Sequence, residues 1–262
     1  MSVREPYRPI GPGTLPDDDF VFGRQEEMAE LRQRLSDRKS FVLHGPSGSG
    51  KTFLLHRVAR NLPEVLYCPQ AASPQLVVQS LALGLIEFRD RYTKSFLRNA
   101  QAVKLKSTIS LRGIVLEAVR RGSYFVVLDH LQGPAAALSA DTRDLMFYGE
   151  TPIIAVARSP HMEDLGFLTP MFPMRAERMR LSNFGHPEAT QFAEEIACRI
   201  DLWATNLPEF LERVVDLSHG SPGAILQMLR MARIPRYRLN GYIKTSPLYI
   251  DFRLGWHAAN AW

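Results

Sequence analysis

The stretch Gly45-Pro46-Ser47-Gly48-Ser49-Gly50-Lys51-Thr52 constrains this chain more than any other segment. It follows the short apolar run Phe41-Val42-Leu43 and precedes a helical pattern from Lys51 to about Asn61. It therefore reads as the turn between a buried strand and a helix, the context in which a Gly-x-x-x-x-Gly-Lys-Thr pattern has meaning. Its glycines let successive backbone N–H groups turn inward onto phosphate oxygens, and the start of the next helix adds a favourable dipole. Lys51 is expected to reach the β- and γ-phosphates, and the Thr52 hydroxyl to bind Mg²⁺. Gly45, Pro46, Ser47, Gly48, Ser49, Gly50, Lys51, Thr52 and Phe53 are the candidate nucleotide contacts.

The rest of the chain supplies the sheet that such a loop needs. Phe22 to Leu35 puts Met28, Leu31 and Leu35 on one helical face. Pro63 ends the helix after the loop, and Glu64-Val65-Leu66-Tyr67-Cys68 is a second strand. Residues 75–121 read as helical, broken near 84–93 and 107–110. Ser123 to Asp129 is a nearly uninterrupted apolar run closing on an acid, as expected of a parallel strand covered on both faces. A helix near 142–147 leads to Pro152 to Ser159, which repeats the pattern of apolar strand and polar tip. Met179-Arg180-Leu181 is a last short strand. From Pro187 the pattern becomes helical, with segments at 189–200, 207–217 and 222–232. The expected fold is α/β, a P-loop NTPase with a parallel central sheet flanked by helices and followed by a small helical lid. The expected divisions are an irregular lead-in at 1–19, an α/β ATPase domain at 20–184, a lid at 185–234 and a basic, aromatic tail at 235–262.

Two strand ends carry further chemistry. Asp129 closes a buried strand at the ligand-binding end of the sheet and is the natural second Mg²⁺ contact, usually through water. His130 follows it. A histidine there can orient water or act as a weak base, and it can equally mark a slow or hydrolysis-deficient site. Arg158, at the tip of the neighbouring strand, is placed to stabilise transferred charge at the γ-phosphate. In Gly220-Ser221-Pro222, Ser221 is a good N-cap and Pro222 suits a first helical turn. A lid helix starting over a nucleotide would read the same way.

Composition narrows the setting. An apolar content of 45% is enough for an ordinary core. No uncharged apolar run of membrane-spanning length occurs, and the opening MSVREPYRPIGPG has no apolar stretch of the secretory kind, so the expected compartment is cytoplasmic, with no membrane partner. Two cysteines, Cys68 and Cys198, are too few for a disulfide framework and read as buried small hydrophobes. The formal charge is +5 and it is unevenly spread. Arg89, Arg91, Lys94, Arg98, Lys104, Lys106, Arg112, Arg120 and Arg121 face only Asp90 and Glu117 in their segment. Such a stretch could follow a phosphate backbone or form a solvated helix face. Arg230, Arg233, Arg236, Arg238 and Lys244 lie near Tyr237, Tyr242 and Tyr249, a mixture that suits nucleic acid, or aromatics that dock the tail. The segment Tyr249 to Trp256 is too apolar for a free end.

Taken in order, Phe22-Gly23-Arg24-x-x-Glu27, the loop at 45–52, Leu128-Asp129, Ala157-Arg158-Ser159 and Gly220-Ser221-Pro222 resemble the AAA+ and STAND group of P-loop ATPases. The likeness spans roughly residues 20–232 and is strongest to compact prokaryotic transposition-regulator and origin-licensing ATPases. It implies that Phe22, Gly23 and Arg24 flank the adenine, that Asp129 is the Walker B acid, that Arg158 is the first sensor and that Pro222 packs near the base. Arg175 is the candidate arginine for a neighbouring subunit's nucleotide. Two departures stand out: His130 occupies the place of the usual Glu, and no arginine occurs within 220–226.

The implied function is an ATP- and Mg²⁺-dependent regulatory ATPase with slow hydrolysis. It would assemble as a homo-oligomer or with a partner protein, and act on or near double-stranded DNA through 89–121 and 230–244. The alternative is a nucleotide-dependent switch or adaptor that recruits a protein with little or no hydrolysis. A small-molecule kinase fits less well, because no acceptor-binding signature follows the loop.

Overall fold

The computed structural model describes residues 21–59, 64–134, 136–147 and 150–255. The expected lead-in at 1–19, the helix end at Asn61 and Pro63, and Trp256 lie outside the described residues. The described chain divides into two compact units, one of residues 25–45 with 51–181 and one of residues 21–24 and 46–50 with 182–255.

In the first unit the order is α1 (Gln25–Ser36), β1 (Phe41–His44), α2 (Lys51–Ala59), β2 (Val65–Cys68), α3 (Pro74–Glu87), α4 (Arg91–Phe96), α5 (Ala100–Leu105), α6 (Thr108–Arg121), β3 (Phe125–Leu131), α7 (Ala136–Phe147), β4 (Ile153–Ala157), α8 (Met162–Leu165) and β5 (Arg178–Arg180). The five strands form one parallel sheet in the order β2-β3-β4-β1-β5. Because side chains alternate along a strand, the apolar runs feed two layers. Val42, Leu66, Val126, Leu128, Ile153 and Ala155 pack with α3, α6 and α7. Phe41, Leu43, Phe125, Val127, Ile154 and Val156 pack with α1 and α2 on the other face. A sheet covered on both faces explains why the strands read as continuous apolar runs rather than alternating ones. The expected α/β P-loop architecture with a parallel sheet is therefore the one observed.

Local chemistry sets the helix breaks. The 75–121 segment is four helices, and the ends fall where a polar side chain caps the next helix. Asp90 accepts from the Thr93 N–H at 2.6 Å, Asn99 from the Ala102 N–H at 3.0 Å and Ser107 from the Ser110 N–H at 3.3 Å. The break at Asn99 was not anticipated from the sequence. Strand β3 also differs, running two residues beyond Asp129 with a register shift between Leu128 and Leu131. His130 sits in that bulge with φ of 54°, a left-handed conformation that costs a non-glycine residue roughly 1–2 kcal/mol.

The second unit contains α9 (His186–Arg199), α10 (Leu207–Ser218), α11 (Pro222–Met231), the antiparallel pair β6 (Arg238–Leu239) and β7 (Tyr242–Ile243), and α12 (Thr245–Arg253). The three expected helices are present, and the hairpin and α12 add to their core. Tyr237 is fully buried among Phe210, Val214, Met228 and Leu248, and its hydroxyl donates to Asp251 at 2.8 Å. The aromatics at 237, 249 and 252 thus pack within the unit. Cys68 is buried as expected, but Cys198 is exposed on the last turn of α9, facing away from that core. Among the described residues no helix is long and apolar enough to cross a membrane.

Candidate functional site

In the first unit the parallel sheet brings Lys51, Thr52 and Asp129 together. Phe125, Val127 and Asp129 alternate onto the face covered by α2, whose first residues are Lys51 and Thr52. The Thr52 hydroxyl donates to Asp129 Oδ2 at 2.8 Å, and the Lys51 ammonium donates to the Gly45 carbonyl at 2.8 Å. Asp129 is buried, so its charge must be met by donors on the protein. Tyr67 supplies another: its hydroxyl donates to the same Oδ2 at 2.6 Å. Sequence reasoning missed this residue, although Tyr67 is the one polar-tipped side chain in the apolar run of β2. Burial pulls the Lys51 ammonium below its ordinary value, with Asp129 and Asp164 opposing that shift.

The donor set fits a hard divalent cation. One hydroxyl and one carboxylate, both oxygen donors, match Mg²⁺, which keeps several waters and takes the rest of its shell from phosphate. Among the described residues no cluster of three or more His, Cys, Asp or Glu could hold a metal ion.

His130 is exposed and next to this group. Its backbone N–H donates to Asp129 Oδ1 at 2.7 Å, and its Nδ1 lies 3.0 Å from the Pro69 carbonyl. A carbonyl only accepts, so Nδ1 is the donor in that contact, and in the neutral tautomer Nε2 is the acceptor. Arg158 is engaged elsewhere: its guanidinium pairs with Asp164 at 3.0 Å. Burial pushes the Asp164 carboxyl up, but hydrogen bonds involving Ser159 and Arg158 outweigh it and hold the group below its ordinary value. Asp164 had no signal in the sequence. Arg175 is exposed at the start of a 3-10 turn at 175–177, without a side-chain partner among the described residues. Phe53 is exposed on the first turn of α2.

The second unit holds the remaining candidates. Segment 46–50 contains Gly48 and Gly50 at φ of 78° and 93°, conformations that need glycine. The Gly223 N–H donates to the Gly48 carbonyl at 2.9 Å, beside Pro222 at the start of α11. A Cβ on Gly223 would stand 3.0 Å from Gly48 Cα, so the two backbones approach closely and a side chain there would crowd them. The Ser49 hydroxyl is buried without a partner among the described residues, an orphan polar atom of the kind that a ligand can satisfy. Ser221 caps α11 through the Ala224 N–H, as its sequence suggests. Phe22 packs edge-on to Phe184 and against Phe192, and Gly23 takes φ of 57° beside Phe184. Arg24 is buried, stacks 4.4 Å over the Phe184 ring and donates to the Ser182 carbonyl at 2.6 Å. These contacts account for Arg24 within the fold of the unit.

The basic segments are partly neutralised, some by acids inside the window and some by acids that it did not contain. Arg112 forks onto Asp141 and Asp144 of α7, at 2.5 Å each. Arg120 and Arg121 share Glu117, whose carboxyl they hold at about 2. Arg89, Arg91, Lys94, Arg98 and Lys104 remain exposed, along α4, α5 and their flanks. In the second unit Arg236 pairs with Asp251 at 3.0 Å and Arg238 donates to the Trp203 carbonyl, so part of 230–244 serves the fold itself.

Residues 21–149 match the family of AAA ATPase domains. No curated protein matches the sequence. Among solved structures, a Walker-type ATPase of Pyrococcus abyssi aligns with a TM-score of 0.62 at 15% identity, over 92% of this chain and 75% of that one. A STAND protein with a tetratricopeptide repeat sensor from Pyrococcus horikoshii aligns at 0.52 and 14% identity, over 95% of this chain but only 34% of its own length. Cdc6p from Pyrobaculum aerophilum aligns at 0.57 and 13% identity, over 94% of this chain and 65% of that one. The family match over residues 21–149 bears out the AAA ATPase part of the resemblance seen in the ordered motifs, and the solved neighbours share the fold.

The lowered Lys51 pKa gives a pH signature. A phosphate needs the ammonium charged, so nucleotide affinity should fall as pH rises through this pKa, beginning below the ordinary lysine range. Titration with a fluorescent nucleotide across alkaline pH measures it, and affinity that holds flat up to that range would contradict the assignment.

Proposed function

Proceeding from an AAA ATPase domain at residues 21–149, we propose a regulatory ATPase that binds ATP with Mg²⁺, hydrolyses it slowly, assembles with nucleotide and acts on or near double-stranded DNA. The observation that carries this reading is the convergence of Thr52 on Asp129 beside the loop lysine. The proposal includes a cytoplasmic location and a lid role for residues 185–234.

In this reading the backbone of 45–50 cradles the phosphates and Lys51 exchanges the Gly45 carbonyl for phosphate oxygens. Thr52 and Asp129 hold Mg²⁺, which when bound neutralises phosphate charge. His130 Nε2 is the acceptor available to orient water, a weaker group for this task than a carboxylate. Arg158 must leave Asp164 to act as a sensor, and the exposure of Arg175 suits a reach to a neighbouring subunit. Phe22, Gly23 and Pro222 flank the base. Support for DNA comes from the exposed cations Arg89, Arg91, Lys94, Arg98 and Lys104, with the sequence likeness to transposition-regulator and origin-licensing ATPases.

His130 in place of Glu also favours a second reading, a nucleotide switch that recruits a protein partner with little turnover. Steady-state ATPase and DNA binding, each with and without the other ligand, separate the two. The first reading expects nucleotide-dependent binding to duplex DNA that weakens steeply with salt. Absence of that binding at moderate salt removes the DNA half. A His130→Glu variant should raise turnover on the order of tenfold or more. Unchanged turnover would mean that position 130 does not limit hydrolysis.

A further inference from the structure

We infer that Tyr67 is a positioning residue for Asp129, and that its hydroxyl governs how readily the site takes up Mg²⁺. The inference rests on the reading of Thr52 and Asp129 as the metal-binding pair.

The register of the sheet places Tyr67 for this role. Tyr67 pairs with Val127 across β2 and β3, so its side chain emerges on the α2 face two residues before Asp129. The hydroxyl reaches Asp129 Oδ2 at 2.6 Å, while Thr52 reaches the same oxygen at 2.8 Å and the His130 N–H takes Oδ1 at 2.7 Å. Three donors from β2, α2 and the β3 bulge thus hold both oxygens of one buried carboxylate. Two of them, Thr52 and His130, belong to the loop helix and the strand end that any such site contains. Tyr67 is the additional one, and it is the only donor that comes from β2.

The hydrogen bond has a direction that matters for metal. A phenol O–H on Oδ2 stops the carboxylate from rotating, which keeps Thr52 donating its proton to Asp129 and turns the Thr52 lone pairs outward. Those lone pairs are what a hydroxyl offers a cation. The Tyr67 ring is held in turn by His56 of α2, with centroids 4.5 Å apart, and His56 Nε2 is buried without a partner among the described residues. Tyr67 therefore links α2 packing to the orientation of Asp129.

The test is Tyr67→Phe, which keeps the ring and its His56 contact and removes only the hydroxyl. Binding of a fluorescent ATP analogue is titrated with Mg²⁺ and repeated in EDTA, for wild type and variant, with thermal melting as the check on folding. The expected result is a Mg²⁺ midpoint raised roughly tenfold, the scale of one hydrogen bond to a charged group, with affinity in EDTA unchanged. Turnover should recover at saturating Mg²⁺. A midpoint within twofold of wild type, or an equal loss of affinity in EDTA, overturns the role of Tyr67 and leaves the metal pair standing. A wild type whose nucleotide affinity ignores Mg²⁺ overturns the metal pair, and the role of Tyr67 with it.

Discussion

A buried carboxylate at the end of a parallel strand is the constraint around which the first unit is organised. Asp129 sits where the sheet excludes water, and an uncompensated charge there would be prohibitive. The compensation comes from hydroxyls on two other elements, Thr52 at the start of α2 and Tyr67 on β2, and from the backbone of the bulge that follows. Each such hydrogen bond to a charged group contributes about 1.5–3 kcal/mol, so the group of three outweighs the left-handed strain at His130. The same contacts hold the loop helix and two strands in register at the end of the sheet where ligands bind in open α/β folds.

Much of the first unit was legible because its sheet is covered on both faces. Phe41 to Leu43, Val126 to Leu128 and Ile153 to Val156 could be read as parallel strands, since burial on both sides leaves no polar alternation. The phosphate loop was equally readable, because its glycines carry their function in the backbone. Less legible were features decided by distant partners. Nothing near Arg158 in the sequence announces that Asp164 claims it, and Tyr67 shows its role only once β2 lies beside β3. The bulge after Asp129 was hidden too, since the run Phe125 to Leu131 gives no glycine to mark it.

Charge taught the same lesson. A window of nine cations and two acids looks like one basic face, yet Arg112 spends its guanidinium on Asp141 and Asp144, some thirty positions away in sequence. What remains exposed outside the ion pairs named above is a narrower strip on α4, α5 and their flanks. In the second unit the aromatic, basic run after Pro235 packs Tyr237 into the core, because a buried ring with a satisfied hydroxyl gains more than a solvated one. Local composition reports how much charge or aromaticity a segment has, and only the fold decides how much of it is left for a partner.

The central claim is that the loop at 45–52 grips nucleotide phosphate through Lys51. Equilibrium binding of ATP to wild type and to a Lys51→Ala variant tests it most directly. The account predicts a loss on the order of a hundredfold, as expected when one member of a buried charge pair is removed. A variant that binds ATP as well as wild type does would contradict it.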